Sequence, residues 1–302
     1  MKVFITGGSG FVGSTLTGEL TKSGHQVTIL TRAIRKERKL PEGASFLEGD
    51  PAREGPWQEQ VADHDAVINL AGASIFARWN DDYKETLRKS RLLTTRHLVD
   101  ALAARKGKET HLISTSAVGY YGFHGDEPLD ETDPPGTDFL ATLAADWEKA
   151  ALEAKNHGVR VVLCRFGIVL GRMGGALAQM IPPFRFWMGA PLGSGRQWLS
   201  WIHERDLAGV FQFALEHTNL NGPLNCTAPH PVRNREITQV IGTVLGKPTF
   251  LPPVPAIFIR WMLGEFGSVI LKGQRVYPRR LLEKGFVFRF STIEEALIDL
   301  LR

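Results

Sequence analysis

Two rhythms of apolar and polar positions run through the first 171 residues of this 302-residue chain. Short apolar runs read as strands: KVFIT (2–6), HQVTIL (25–30), ASFLEGD (44–50), DAVINLAG (65–72), THLISTS (110–116) and VRVVLCRFGIVLG (159–171). Helical patterns lie between them, over 11–24, 80–104 and 138–157. Strands apolar along their whole length, alternating with helices, predict right-handed crossovers and a parallel sheet covered on both faces. The expected fold class is therefore α/β, a Rossmann-type doubly wound sheet. After residue 171 the pattern loosens. Helices are expected over 204–217, over 234–246 behind an Asn234 cap, and over 291–301, with KPTFLPPVP (247–255) as a break. This divides the chain into a sheet domain, 1–171, to which about 197–227 returns, and a smaller, mostly helical lobe with a small C-terminal domain, 172–302.

Between the first strand and the first helix stands TGGSGFVG (6–13). A glycine-rich turn there lets backbone approach a pyrophosphate, and the helix start supplies unpaired N–H groups. Gly7, Gly10, Phe11, Val12 and Gly13 are the expected contacts, with Gly13 allowing close helix–strand packing. The second strand ends in ILTRAIRKERK (29–39). An acidic residue there would hold a free ribose 2′-hydroxyl; Thr31, Arg32 and Arg35 instead suit a 2′-phosphate, which favours NADP(H) over NAD(H). Asp50 closes the third strand where an adenine edge could be met. Leu70, Ala71 and Gly72, in NLAGA (69–73), leave room for the adenosine ribose.

Composition changes this picture little. The chain is 43% hydrophobic and 23% charged, with a net charge of +4, which permits anionic ligands without arguing for nucleic acid. No apolar run approaches the roughly 18–20 residues of a membrane span, so no membrane partner is expected. Cys164 and Cys226 lie in apolar segments and read as buried thiols; with no secretory signal visible, a cytoplasmic location is expected. No Cys/His spacing suggests a metal. The tryptophans read as packing residues, although Trp187, Trp198 and Trp201 fall over the expected pocket. Arg91, on the amphipathic helix 80–104, reads as a surface or salt-bridged residue.

TGGSGFVG, the Gly49-Asp50 pair, NLAG, STSAVGYYG (114–122) and WIHERDLA (201–208) together resemble the extended short-chain dehydrogenase/reductases, the NAD(P)-dependent epimerase/dehydratase group. NCTAPHPVRNREITQVIGTVLGKP (225–248) and ILKGQRVYPRRLLEKGFVF (270–288) resemble an atypical subgroup with an extra C-terminal domain. Its members mostly lack an assigned substrate, and some carry an old label as cell-division inhibitors. The resemblance implies an NADP(H)-dependent oxidoreductase acting on a small molecule, in a fold that often forms homodimers. It implies Ser116 as the substrate-polarising serine, with Tyr120 and Tyr121 following it. It places Arg165, in RFGIVLG (165–171), beside the nicotinamide, and offers Trp201, His203 and Asp206 to the substrate. For Asp206, capping of the 204–217 helix is the equal alternative.

The departure lies on the helix after the serine strand. The group places Tyr-x-x-x-Lys there, a proton donor and the ammonium that assists it. This chain reads DFLATLAADWEKAALEA (138–154), with Phe139 or Leu140 near the tyrosine position and Leu143 or Ala144 near the lysine. Tyr120, Tyr121, His203 and Glu148 remain as substitute acids or bases. The alternative is an NADP(H)-binding regulatory protein with little or no catalysis.

Overall fold

Seven apolar strands form one parallel sheet in the computed structural model, which describes residues 1–34, 39–105 and 109–302. The strands are β1 (Lys2–Thr6), β2 (Gln26–Thr31), β3 (Ala44–Glu48), β4 (Ala66–Asn69) and β5 (His111–Ala117), with Arg160–Phe166 and Gly222–Cys226 beyond β5. From edge to edge the order is Gly222–Cys226, Arg160–Phe166, β5, β4, β1, β2, β3. The sheet thus grows in both directions from β1, and the crevice between β1 and β4 is the topological switch point where ligands of such sheets lie.

Alternation along β1 sends its side chains to two different cores. Val3 and Ile5 pack with Leu16 and Leu20 of α1 (Phe11–Lys22) and with Leu207 and Phe211 further along the chain. Phe4 faces the other way. It joins Trp57 and Val61 of α2 (Trp57–Val61), and Leu98 and Leu102 of α3 (Asp81–Ala103). Ala151, near the end of α4 (Phe139–Leu152), completes that second layer. Cys164 and Cys226 are free, buried thiols in the first core.

Two predicted elements end early. The helix expected to reach 157 stops at Leu152 and continues as a 3-10 turn, Glu153–His157, closed by Gly158 in the left-handed region (φ 71°). The long strand over 159–171 divides at Gly167. A Cβ there would sit 2.5 Å from the Ser200 carbonyl oxygen, and the chain leaves the main sheet to pair Ile168–Gly171 with Trp201–His203.

The later helices are α5 (Leu177–Arg185), α6 (Glu204–Glu216), α7 (Asn234–Leu245), α8 (Ala256–Leu263), α9 (Phe266–Leu271), α10 (Arg279–Glu283) and α11 (Ile293–Leu301). α5, α7 and α11 build a third core from Leu177, Ile181, Ile237, Ile241, Ile293 and Leu297 around Trp201. Asn234 is the first residue of α7 rather than its cap; its side-chain oxygen accepts the Leu192 N–H at 2.7 Å and so pins the neighbouring loop. α6 packs on α1, and Leu281, Phe286 and Phe288 also pack against the first core, so the C-terminal half is stitched to the sheet at several places.

Candidate functional site

The glycine loop is held by close backbone packing. Gly7 has φ 70°, and a Cβ on it would come within 2.9 Å of the Leu70 and Ala71 backbone. A Cβ on Gly13 would lie 2.4 Å from the Gly7 carbonyl oxygen. Loop, helix and β4 turn therefore touch at van der Waals limits. Gly10 caps α1 without a side-chain bond, and no acidic residue stands in the first turn. The first helical bond runs from Ser14 N–H to the Gly10 carbonyl at 2.9 Å. The N–H groups of Phe11, Val12 and Gly13 thus have no helical acceptor, which is the arrangement that attracts an anion. The Phe11 ring is covered by Gly171, Gly174 and Gly175, where a Cβ would collide with it, so its backbone is fixed in place.

Around this loop stand the other expected cofactor residues. Thr31 ends β2, its hydroxyl donating to the Ala33 carbonyl at 3.2 Å. Arg32 is exposed next to it, and forms no ion pair among the described residues. Arg35 lies outside the described residues. Asp50 accepts the Ala52 N–H at 3.0 Å, which fixes the turn after β3. Leu70 and Ala71 are half-buried and Gly72 is exposed, lining the end of β4.

Beneath that turn lies a residue that the sequence reading misplaced. Arg91 is not a surface residue, and among the described residues it forms no salt bridge. Its guanidinium donates to the carbonyls of Leu87 and Ala73, both at 3.0 Å, and sits 5.3 Å from the Trp147 ring centre. A Cβ on Gly72 would be 3.3 Å from it. Burial pushes its pKa down to about 10, so it stays charged at neutral pH without a carboxylate partner among the described residues.

The next group is a buried polar network at the end of β5. Ser116 donates to Glu148 on α4 at 2.6 Å. Arg165 grips the same carboxylate with two nitrogens, at 2.8 and 2.9 Å, and donates to the Tyr121 hydroxyl at 2.9 Å. Tyr121 in turn donates to the Asn225 side-chain oxygen at 2.7 Å. Burial pushes the Tyr121 phenol well above its ordinary pKa, more than Arg165 pulls it down. Ser116 and Tyr121 are almost wholly buried, as is Arg165 at 3% exposure. Ser116 and Tyr121, expected at the reacting end of the cofactor, are thus engaged in a buried network, and the Arg165 guanidinium, expected beside the nicotinamide, is bound by Glu148 and Tyr121.

Tyr120 differs. It is half-buried, its ring lies face-on to Arg165 with 3.5 Å between guanidinium carbon and ring centre, and no hydrogen bond occupies its hydroxyl among the described residues. The first turn of α4 packs against the preceding residue, since a Cβ on Gly119 would meet Leu140 at 3.4 Å. Leu143 and Ala144 are buried and Lys149 is exposed on the outer face, so α4 brings neither a phenol nor an ammonium to this point.

Trp201, His203 and Asp206, expected to face the substrate, are engaged elsewhere in the protein. All three are buried, with side chains turned into the third core or the C-terminal segment. The Trp201 indole donates to the His230 carbonyl at 3.0 Å. His203 accepts the Arg205 N–H through Nδ1, stacks on Phe290 and presents Nε2 to Asp299 at 3.3 Å; burial lowers its pKa to about 4. Asp206 accepts the N–H groups of Arg289 and Phe290 at 2.8 and 3.0 Å, which anchors the segment before α11. Among the described residues, no three His, Cys, Asp or Glu side chains gather to hold a metal.

Residues 3–226 match the NAD dependent epimerase/dehydratase family, and residues 254–300 match a domain of unknown function (DUF1731). The chain is 42% identical over 299 residues to the epimerase family protein SDR39U1 homolog, chloroplastic, of Arabidopsis thaliana, covering 98% of this chain and 86% of that protein. It is 41% identical over 304 residues to the epimerase family protein YfhF of Bacillus subtilis, covering 100% and 98%. A crystal structure of the human epimerase family protein SDR39U1 with NADPH superimposes with a TM-score of 0.85 at 34% identity, covering 99% of both chains.

Proposed function

The chain belongs to the NAD dependent epimerase/dehydratase family, and from that premise we propose that it binds NADP(H) across the β1–β4 crevice and serves as an epimerase-like oxidoreductase for a small-molecule substrate. Residues 1–171, with about 197–227, would hold the dinucleotide, and 172–302 would cover the substrate. The observation that carries this reading is the uncapped start of α1 at Gly10, where three N–H groups have no helical acceptor; Arg32, at the end of the neighbouring strand β2, forms no ion pair among the described residues. The mainly buried Arg91 adds a cation beneath Gly72, without a carboxylate partner among the described residues, next to the turn expected to take the adenosine ribose. The human relative was crystallised with NADPH, which supports the choice of cofactor.

When bound, the dinucleotide would supply or accept a hydride. The chain's own part is to orient it and to provide a proton. Phe11, Val12 and Gly13 would bind pyrophosphate through backbone, and Arg32 would take the 2′-phosphate. Tyr120 is the phenol left at the end of β5, held flat by Arg165, which Glu148 fixes in turn. Wild-type protein is expected to bind NADPH at least about tenfold more tightly than NADH, because a charge-assisted bond to the 2′-phosphate contributes roughly 1.5–3 kcal/mol. Arg32→Ala should lose about that factor for NADPH and leave NADH unchanged. Fluorescence titration of both cofactors checks this; equal wild-type affinities would refute it.

A second reading is favoured by the engagement of Ser116 and Tyr121 in the buried network, which leaves few reacting groups: an NADP(H)-binding regulatory protein with little or no turnover. Single-turnover NADPH oxidation against aldehydes, ketones and quinones separates the two. On the first reading Tyr120→Phe lowers the rate by about a hundredfold or more, the usual contribution of a positioned acid. Tight binding with no oxidation across the panel selects the second.

A further inference from the structure

We propose that a face built from residues 185–188 and 247–262 docks on the surface of an anionic lipid bilayer. The first observation is exposed apolar surface. α8, IFIRWML after its first alanine, buries only Ile259 deeply and leaves Ile257, Phe258 and Trp261 in solvent, Trp261 at 78% exposure. Phe250 is 81% exposed and Phe186 72%, with Trp187 exposed beside it. The two segments lie side by side: Leu192 bridges to Val254, the Val254 N–H donates to the Pro191 carbonyl at 2.8 Å, and Lys247 sits 4.2 Å from the Trp187 ring centre. Six aromatic or aliphatic side chains of this size expose on the order of 1,000 Å², well above what a monomer ordinarily leaves to water.

The second observation is charge. Residues 177–202 contain Arg185 and Arg196 and no acidic residue; residues 237–264 contain Lys247 and Arg260 and again no acidic residue. Exposed Arg78 adjoins α8 at Gly264, and Glu265, just beyond, is paired with Lys84. Bulky apolar side chains in segments that hold cations and no anions, with Glu265 and Asp81 at the edge both drawn to Lys84, are what a headgroup layer of negative lipids takes up: rings enter the acyl boundary while ammonium and guanidinium groups meet phosphate. The Lys247 ammonium held over the Trp187 indole sets both at one level. Pairing with a second copy through this face would set Arg185, Lys247 and Arg260 against cations of the same set. No helix among the described residues is long and apolar enough to cross a membrane, so contact would be peripheral.

The test is co-sedimentation of the full chain with vesicles of phosphatidylcholine alone and of phosphatidylcholine with phosphatidylglycerol. Binding is expected to the phosphatidylglycerol vesicles at low salt, weakening as salt is added. Phe258→Ser/Trp261→Ser and Lys247→Glu/Arg260→Glu should each lower partitioning by about tenfold or more, while Val287→Ser, an exposed apolar position outside the face, leaves it unchanged. The altered positions of α8 are exposed, and circular dichroism verifies that each variant is folded. Equal partitioning onto both vesicle types, or wild-type binding by folded variants, overturns the proposal. So does a dimer in light scattering that Trp261→Ser dissolves without any vesicle binding, which would assign the face to a second copy.

Discussion

Glu148→Ala and Arg165→Ala are each expected to destabilise the fold by about 3–5 kcal/mol, the usual cost of leaving half of a buried ion pair without its partner. The two side chains are 7% and 4% exposed. Water can replace neither partner. Removing Glu148 strands the guanidinium and leaves the Ser116 hydroxyl without its acceptor; removing Arg165 strands the carboxylate and one lone pair of Tyr121. Both changes also empty volume between α4 and the strand Arg160–Phe166. Glu148→Leu/Arg165→Met, which removes both charges and keeps most of that volume, should cost less than either single change. Urea unfolding of the three variants provides the measurement. Single variants within about 1 kcal/mol of wild type would show that the network carries little of the stability. The network also explains why Tyr120 has a fixed place, because its ring rests on a guanidinium that Glu148 holds by two bonds.

Local signals made the sheet and the glycine loop legible. Apolar runs bounded by Gly and polar residues are enough to place β1 to β5, and TGGSGFVG states a turn and a helix start within eight residues. The buried network is not local. Ser116 meets Glu148 across 32 residues, and Tyr121 meets Asn225 across 104, and no spacing in one sequence announces such pairs. Resemblance pointed to Ser116, Tyr121, Arg165, His203 and Asp206, yet resemblance gives a position and not what surrounds it. Arg91 did leave a trace: it follows Leu87 by four residues and precedes Leu98 by seven, so it falls in the buried stripe of α3. α8 misleads in the opposite sense. IFIRWML has the composition of a core helix, and only the structure reveals that most of it faces water.

Gly10→Val is expected to reduce NADPH affinity by at least about a hundredfold while the protein stays folded. The backbone at Gly10 has φ −79° and ψ −176°, extended geometry that valine also adopts. Its Cβ would meet one atom within 4 Å, the Gly7 carbonyl oxygen at 3.2 Å, which a small shift relieves. The branched side chain would then stand at the exposed start of α1, in front of N–H groups that would otherwise meet a phosphate. Losing two charge-assisted bonds of roughly 1.5–3 kcal/mol each accounts for the factor. Gly13→Val supplies the contrast. There a Cβ lies 2.4 Å from the Gly7 oxygen and 2.5 Å from the Gly8 Cα, so α1 cannot seat against β1 and the fold itself should fail. Thermal unfolding and NADPH titration of both variants separate a binding surface from a packing contact. A folded Gly10→Val protein that binds NADPH as wild type does would move the dinucleotide away from this loop, and Arg32 and Arg91 would lose their assigned roles with it.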